Sequence, residues 1–298
     1  MPETALLTRF ASRIVNTPLM IHVDKLNAIL GAVGHRIGLS VPEKAASPFL
    51  KAAAERKASN TGGGRIAVIP VYDSLVFRTL GLQALSGLTS YEDIRSRFRE
   101  ARDDSSVEGI LFDIDSHGGE EAGLFDLVDE IHEARGEKPI TAIANEMAFS
   151  AAYAIASAAD DVYLPRTGGV GSIGVVALHV DQSAYDAQKG FKYTYIYAGS
   201  HKIDFSPHAP LSPGTLNRLQ AEIDEARELF IDTVARNRGL AASKVRATEA
   251  LTFTGTHAVE AGLADGIMPF SKVLDHIRIT SKKGGSFMNQ NELKTQLE

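Results

Sequence analysis

Apolar residues recur with two different periods along this chain, and the period predicts which segments are strands and which are helices. Between residues 65 and 161, short runs rich in β-branched residues alternate with stretches whose apolar residues recur every three or four positions. Strands are predicted at 65–72, at 107–115 and at "PITAIAN". Helices are predicted at "TSYEDIRSRFREAR", where Thr89 and Glu92 have the spacing of a capping box, at "EEAGLFDLVDEIHEAR" and at 145–161. This alternation predicts a parallel sheet with right-handed crossovers, and therefore an α/β fold.

The second half of the chain has a less regular pattern. Residues 167–181 are glycine-punctuated and then β-rich, and 191–199 alternate as a strand does. A long helix follows, with Gly239 as its predicted C-cap. One face of this helix is predicted to pack through Leu216, Leu219, Ile223, Ala226 and Phe230. The run "FTGTHAVEAGLADGI" predicts a short helix and a closing strand.

Changes in composition divide the chain into three predicted regions. Residues 1–58 form an N-terminal helical arm and linker, because "TPLMIHVDKLNAILGAVGHRIG" has helical spacing and a Gly-rich stretch follows at 61–64. Residues 59–280 form the α/β domain. Residues 281–298 form a polar, flexible tail.

Composition and charge exclude several classes of function. The chain has 298 residues, 44% of them hydrophobic, which is enough for a substantial core. It has no cysteine, so disulfides, thiol catalysis and cysteine-ligated zinc are excluded. The net charge of -6, without a clustered basic face, argues against nucleic-acid binding. The first twenty residues contain no signal peptide or membrane span, so we expect a cytoplasmic protein that does not associate with membranes.

Three features carry candidate chemistry, and each is weak alone. Gly118 and Gly119 follow a predicted strand, where their backbone amides could approach a substrate, although an ordinary turn is the commoner explanation. Ser150 lies at a predicted helix start, where the amide of Ala151 could share in an oxyanion hole, although such serines more often pack in a core. Lys202 lies in a loop, where it could take a proton from a serine only if burial kept it neutral.

Other bases and metal ligands have less support. No serine lies in a GxSxG motif, and there is no HExxH zinc motif. His117 adjoins the glycine pair and is a weak candidate for a proton shuttle. Asp113 and Asp115 share one face of a strand, but a third metal ligand is lacking, so we interpret them as structural. The sequence therefore predicts neither a metal nor a cofactor.

Taken in order, these features resemble the signal peptide peptidase A family of serine proteases. The residues that carry the resemblance are Ser116-His117-Gly118-Gly119, then Ala148 to Tyr153 around Ser150, then "GGVGSIGVV" with Ser172, and finally Lys202. The resemblance covers about residues 65–270 and is closest to the capsid assembly proteases of tailed phages. It implies a Clp protease/crotonase-like fold of repeated β-β-α units with an N-terminal helical arm.

The resemblance also implies a site and a biological setting. It makes Ser150 and Lys202 a catalytic dyad, with Ser172 orienting the lysine. The oxyanion donors would be Ala151 and either Gly118 or Gly119, a choice that stays open, and His117 and Phe149 would contact substrate. It further implies a ring-like homo-oligomer that cleaves scaffold, portal or major capsid proteins, and itself, in the procapsid within the host cytoplasm.

Two differences from the family pattern bear on substrate fit. Histidine replaces the usual proline at 117, and alanines replace the glycines that follow the nucleophile. Two rival functions stay open. One is a crotonase-like acyl-CoA enzyme, in which the glycine amides would stabilise an enolate and Lys202 would be dispensable. The other is a non-catalytic capsid or scaffold component, because the tail after 281 resembles a junction to a scaffolding segment.

Overall fold

The protein is an α/β structure built on a mainly parallel sheet. The computed structural model describes residues 13–33, 65–78 and 88–282. The strands are β1 Leu19–Ile21, β2 Arg65–Val76, β3 Leu88–Ser90, β4 Val107–Glu120, β5 Ile140–Phe149, β6 Asp161–Leu164, β7 Gly169–Gly171, β8 Thr252–Thr254 and β9 Gly266–Ile267. The helices are α1 Val23–Val33, α2 Tyr91–Asp103, α3 Leu124–Glu133, α4 Ala151–Ser157, α5 Ser183–Lys189, α6 Pro213–Arg238, α7 Ala242–Arg246, α8 Thr256–Glu260 and α9 Phe270–Lys282. The predicted α/β class is confirmed.

The strands are connected in the way that the alternating pattern predicts. Within the described residues the sheet runs in the order β3-β2-β4-β5-β6-β9, with parallel pairing throughout. β7 is parallel to β5 and antiparallel to β8, and β1 is antiparallel to β4. Parallel strands end at the same edge of a sheet, so β4 and β5 bring their carboxyl ends together.

The core lies on both faces of the central strands, as expected for a parallel sheet covered by helices. On β4, Ile110 and Phe112 are fully buried in the larger cluster, which is covered by α2, α3, α4 and α6. Leu111 points to the opposite face and packs with Val273 and Ile277 of α9. This double burial fixes β4, and therefore the position of its glycine-containing end.

Several predicted boundaries are wrong, and each has a local physical reason. The α2 helix is capped by Ser90, whose hydroxyl accepts the Asp93 N–H at 3.1 Å, whereas Thr89 donates its hydroxyl to the Tyr72 carbonyl. Residues 145–149 continue β5 instead of starting a helix, because they pair with β4 and β7. Leu216 is half exposed and does not share the buried face of α6. The predicted C-cap at Gly239 is confirmed by its left-handed conformation.

The largest differences concern two stretches with a strand-like pattern. The predicted strand 107–115 does not stop at the glycine pair, because β4 continues to Glu120 with pairing on both edges. Residues 191–199 form no strand, and their side chains are exposed. Alternation alone cannot make a strand without a neighbouring edge to pair with.

The predicted regions are described only in part. The arm contains the predicted helical stretch as α1, together with the strand β1 that the pattern did not predict. The Gly-rich stretch at 61–64 and the tail after residue 282 lie outside the described residues. The domain boundaries at 58 and 280 therefore stay predictions. No described helix has the length and apolar character that crossing a bilayer requires.

Candidate active site

Ser150 lies at the turn between β5 and α4, in a strained backbone conformation. Its φ of 55° and ψ of -122° are unusual for a residue with a side chain. The turn is held by the Ser150 N–H, which donates to the Gly171 carbonyl at 2.8 Å, and by the Tyr153 N–H, which donates to the Ser150 carbonyl at 2.8 Å. A sharp strand-to-helix turn of this kind presents a nucleophile at the end of a strand. These two hydrogen bonds hold Ser150 in its strained conformation at the end of β5.

The segment after β7 lies directly over Ser150. The Ser150 hydroxyl donates to the Gly174 carbonyl at 3.4 Å. Ser172 lies in the same turn with a φ of 56°, and its N–H donates to the Leu251 carbonyl at 2.9 Å. Both serines are buried. The structure therefore brings Ser172 close to Ser150.

Gly118 lies against the first amide of α4. A Cβ atom added to Gly118 would lie 3.0 Å from the Ala151 nitrogen, and the glycine has a φ of 93° that side chains rarely adopt. Gly119 instead lies against β2, where an added Cβ would be 1.8 Å from the Leu75 carbonyl oxygen. Of the two glycines, the structure therefore places Gly118 beside Ala151. The Gly118 N–H donates to the Ser116 hydroxyl at 3.1 Å.

The Phe149 ring lies close to two histidine rings. Its centroid is 5.5 Å from that of His22 and 6.4 Å from that of His117. Burial lowers the pKa of His117 to about 4, and the nearby charges of Lys25 and His22 act in the same direction. His117 is therefore neutral at neutral pH, which is consistent with contact to substrate and leaves little capacity to store a proton.

The two strand aspartates differ in environment. Asp113 is fully buried and accepts hydrogen bonds from the Tyr72 hydroxyl and, at 3.2 Å, from the Asn145 amide. These bonds agree with the structural role expected for Asp113. Burial, followed by the charge of Glu146, raises the pKa of Asp115 to about 6.

Lys202 makes no contact with the residues around Ser150 among its hydrogen bonds in the described part of the chain. Its N–H donates to the Gly199 carbonyl at 3.0 Å, and its side chain is exposed. Among the described residues, no hydrogen bond or ion pair joins Lys202 to Ser150. The chain by itself thus brings together Ser150, Ser172, Gly118 and Ala151, and it leaves the predicted base in solvent.

Sequence reasoning missed one element of the site, the strand β1. This strand pairs with β4 at Gly118 and Gly119, immediately beside Ser150. The sequence signal for this strand was the short apolar run from Leu19 to Ile21, which lies between Pro18 and the start of α1. The helical spacing of the residues around this run concealed it.

Comparison with known protein families decides the classification. Residues 132–283, about half of the chain, match the family described as peptidase family S49. The chain belongs to peptidase family S49. The S49 match includes Ser150, Ser172 and Lys202, whereas the glycine pair of β4 lies before it. The resemblance stated from the motifs is confirmed.

Two phage proteins are similar over most of this S49 chain. The Head-tail preconnector protein GP5 of Enterobacteria phage P21 is 36% identical over 284 residues, which cover 90% of this chain and 56% of that protein. The Capsid assembly protease C of Escherichia phage lambda is 36% identical over 277 residues, covering 88% and 63%. The chain thus spans less than two thirds of either phage protein.

More distant similarities were also found. The chloroplastic Serine protease SPPA of Arabidopsis thaliana is 24% identical over 208 residues, which cover 69% of this chain and 30% of that protein. A solved structure of a ClpP1 mutant from Listeria monocytogenes has a TM-score of 0.43 and 14% identity, covering 70% of this chain and 94% of that one.

Proposed function

We propose that this chain is a serine endopeptidase in which Ser150 is the nucleophile and Lys202 is the general base. The observation that carries the proposal is the strained position of Ser150, between the Gly118–Ala151 contact and the turn that contains Ser172. Membership of peptidase family S49 supports it, as do the names of the two phage relatives.

The proposed reaction has two balanced steps. Neutral Lys202 takes the proton from the Ser150 hydroxyl while its oxygen bonds to the scissile carbonyl carbon. The C–N bond then breaks, the lysine ammonium gives that proton to the leaving amine, and an ester remains on Ser150. Water next adds to the ester carbonyl, again with Lys202 as base, and releases the carboxylic acid and the free serine.

Backbone amides would stabilise the negative oxygen that forms in each step. The N–H of Ala151 is one of the four at the start of α4 that have no acceptor within the helix. Gly118 is the second proposed donor, because it is the glycine that lies against Ala151. To donate, its N–H has to turn from the Ser116 hydroxyl toward the substrate oxygen. Losing one such donor costs about 3 to 4 kcal/mol in comparable enzymes.

A second copy of the chain would supply the burial that Lys202 lacks. Residues 191–197 come before the turn that contains Lys202 and Phe205, which we call the lysine turn. They expose several large apolar side chains, with Ile196 99% and Phe191 62% exposed. Large contiguous apolar surfaces of this kind usually mark interaction sites. We propose a homo-oligomer in which this segment is covered and Lys202 is brought to Ser150 in a dry environment, with Ser172 orienting its amine.

The proposed substrates are proteins of the phage head. The names of the relatives refer to capsid assembly and to a head-tail preconnector, and both are similar to this chain over about nine tenths of its length. We propose that the chain cleaves scaffold, portal or coat protein segments, and itself, inside the procapsid in the host cytoplasm. His117 and Phe149, whose rings contact each other beside Ser150, would contact the substrate polypeptide.

The experiment is coexpression of the chain with the scaffold, portal and coat proteins of its phage, followed by mass spectrometry of the fragments. The wild-type chain should produce cleavage, and Ser150→Ala and Lys202→Ala should not. Lys272→Ala, which removes an exposed lysine of α9 outside the 191–202 segment, is the matched control and should cleave normally. Cleavage that persists in Ser150→Ala and Lys202→Ala would exclude the dyad. A wild-type chain that cleaves nothing in a competent procapsid would favour a structural role.

A further inference from the structure

The strand β1 occupies a particular position in the sheet. As far as the pair Ser116 and Ala148, the neighbour of β4 is β5. Beyond Ser150 the chain turns away into α4, and from Gly118 to Glu120 the neighbour of β4 is β1, in antiparallel register. β1 therefore fills the position in the sheet that β5 vacates at Ser150.

The other edge of β1 is also hydrogen-bonded. Leu19 and Val176 exchange two backbone hydrogen bonds, at 2.8 and 2.9 Å. Val176 is two residues beyond Gly174, whose carbonyl accepts the Ser150 hydroxyl. We call the space between residues 118–120 and 174–176 the strand groove. Both walls of the strand groove are thus continuous with segments that contact Ser150.

The main chain of β1 reaches the proposed oxyanion donors. A Cβ atom added to Gly118 would lie 2.1 Å from the Met20 carbonyl oxygen and 3.0 Å from the Ala151 nitrogen. The Met20 carbonyl therefore lies beside the amides that a scissile carbonyl would have to approach. A polypeptide bound in the strand groove is in position to present its main chain to Ser150.

We propose that β1 is an intramolecular competitor, which occupies the strand groove in place of an extended substrate polypeptide. This inference rests on the proposed peptidase function and identifies the chemistry of its ligand. Addition of an extended peptide to a sheet edge is a common recognition mode, in which main-chain hydrogen bonds give affinity and alternate side chains give specificity.

The side chains of β1 define which peptides the strand groove accepts. Met20 is fully buried in the main core, on one face of β1. Leu19 and Ile21 are also buried, and they pack with Leu26 of α1 and Val176. Burying a charged side chain at any of these positions costs far more than burying an apolar one. The ligand is therefore a strand with at least three consecutive apolar residues.

Polar contacts beside β1 hold it in place and connect it to the lysine turn. The side-chain amide of Asn16 donates to the Phe205 carbonyl at 3.1 Å, and its oxygen is hydrogen-bonded to the His179 ring at 2.9 Å. Asn16 itself has a φ of 57°, a conformation that asparagine tolerates better than most residues. Release of β1 would free Phe205, three residues after Lys202, at the same time as the strand groove.

A reversible crosslink tests the competition directly. The chain has no cysteine, so Leu19→Cys with Val176→Cys creates a single possible disulfide. Hydrogen-bonded antiparallel partners have Cα atoms about 5.5 Å apart, which is within the range of disulfides. The crosslinked pair is made in a Ser150→Ala background, and binding of a labelled peptide with the sequence of residues 17–23 is followed by fluorescence anisotropy.

The inference predicts that the oxidised pair does not bind the peptide and that reduction restores binding. The two single-cysteine variants are the matched controls and should bind equally with or without oxidant. A peptide with aspartate in place of Met20 should not bind. Equal peptide binding by the oxidised and reduced pair would overturn the inference.

A variant that weakens the hold on β1 gives a second, independent test. Asn16→Ala removes the hydrogen bonds to Phe205 and His179, so β1 should leave the strand groove more often. The apparent affinity for the peptide should then rise in proportion to the fraction of molecules with an empty groove, about tenfold for a tenfold larger fraction. A segment with only a packing role would give no gain in affinity, and that result would count against the inference.

The binding assay also separates the inference from the proposed function. Binding is measured without catalysis, so a chain that binds peptide but cleaves nothing would fail as a peptidase while retaining the strand groove. In the active chain, cleavage of substrate should stop on oxidation of the crosslinked pair. Cleavage that the crosslink does not change would overturn the inference and leave the peptidase function intact.

Discussion

Arg13 and Glu120 form a two-contact ion pair that ties the segment before β1 to the end of β4. The Arg13 Nε lies 2.5 Å from Glu120 Oε1, and its Nη2 donates to Oε2 at 2.8 Å. The Phe77 N–H also donates to this carboxylate, at 2.8 Å. The pair is largely buried, with side-chain exposures of 20% and 11%.

Arg13→Ala should therefore destabilise the fold, because the Glu120 charge stays buried without its cation. We expect a loss of about 3 kcal/mol in the free energy of unfolding, measured by chemical denaturation. The matched control is Arg78→Ala, which breaks the exposed pair with Glu92 and should cost less than about 1 kcal/mol. Equal losses in the two variants would show that Arg13 contributes no more than a surface pair.

Gly118→Ala should strongly reduce peptidase activity, and it should also lower the stability of the folded chain because the new methyl meets backbone atoms. The added methyl would lie 2.1 Å from the Met20 carbonyl oxygen and 3.0 Å from the Ala151 nitrogen, where the substrate oxygen has to bind. We expect kcat to fall about 100-fold to 1000-fold, as when an oxyanion donor is lost. Gly136→Ala has a similar positive φ and open space around it, and it should retain activity. A folded Gly118→Ala variant with the wild-type kcat would contradict the proposed site.

Ile196→Asp should separate the proposed oligomer into smaller species and remove activity. Ile196 is 99% exposed in the single chain, and a charge at a covered apolar contact opposes association. Light scattering after size exclusion should show a lower mass, with an unchanged circular dichroism spectrum. Asn217→Asp places a similar charge on the exposed side of α6 and should change neither mass nor cleavage. If Ile196→Asp keeps the wild-type mass and the wild-type activity, a surface other than residues 191–197 must bury Lys202.

Asp161→Asn should make the protein more stable at alkaline pH. Burial, together with the charges of Asp265 and Asp160, raises the pKa of Asp161 from its ordinary value to about 6. The folded state binds this proton more tightly than the unfolded state, so the associated stability is present at low pH and is lost as pH rises through 6. At pH 8 the variant should be about 1 to 3 kcal/mol more stable.

Thermal unfolding at pH 5 and pH 8 checks the prediction for Asp161. The difference between variant and wild type should shrink at the lower pH, where Asp161 is protonated. Asp103→Asn, at an exposed carboxylate whose pKa is lowered by its hydrogen bond to Arg102, should not show this stabilisation at pH 8. A constant difference between Asp161→Asn and wild type across this range would contradict the assignment.

Local patterns predicted the elements that place Ser150. The β-branched runs of β4 and β5 and the alanine-rich start of α4 are recognisable from neighbouring residues, because burial on a parallel sheet imposes a short apolar run. That the glycine pair, Ser150 and Ser172 meet was predicted only from the resemblance of these motifs, taken in order, to a known family of serine proteases. The structure brings them together at the carboxyl ends of β4, β5 and β7.

Contacts between distant parts of the chain could not be predicted in this way. The end of β4 stays extended through Gly118 and Gly119 because β1, about a hundred residues earlier, pairs with it. The alternation at 191–199 resembles a strand, but no strand of the described residues pairs with it. The position of Lys202 depends on that same segment. The distance between Lys202 and Ser150 could therefore not be predicted from their spacing along the chain.

The most direct test of the central claim is to identify the residue that becomes acylated during turnover. The purified chain is mixed with a substrate peptide carrying an activated ester, quenched in acid and analysed by intact mass and by mapping of its fragments. We expect an acyl group on Ser150, and neither adduct nor turnover in Ser150→Ala. Ser157→Ala, which changes a buried serine of α4, should be acylated normally at Ser150. Hydrolysis at the wild-type rate by Ser150→Ala, or an acyl group on a different residue, would contradict the central claim.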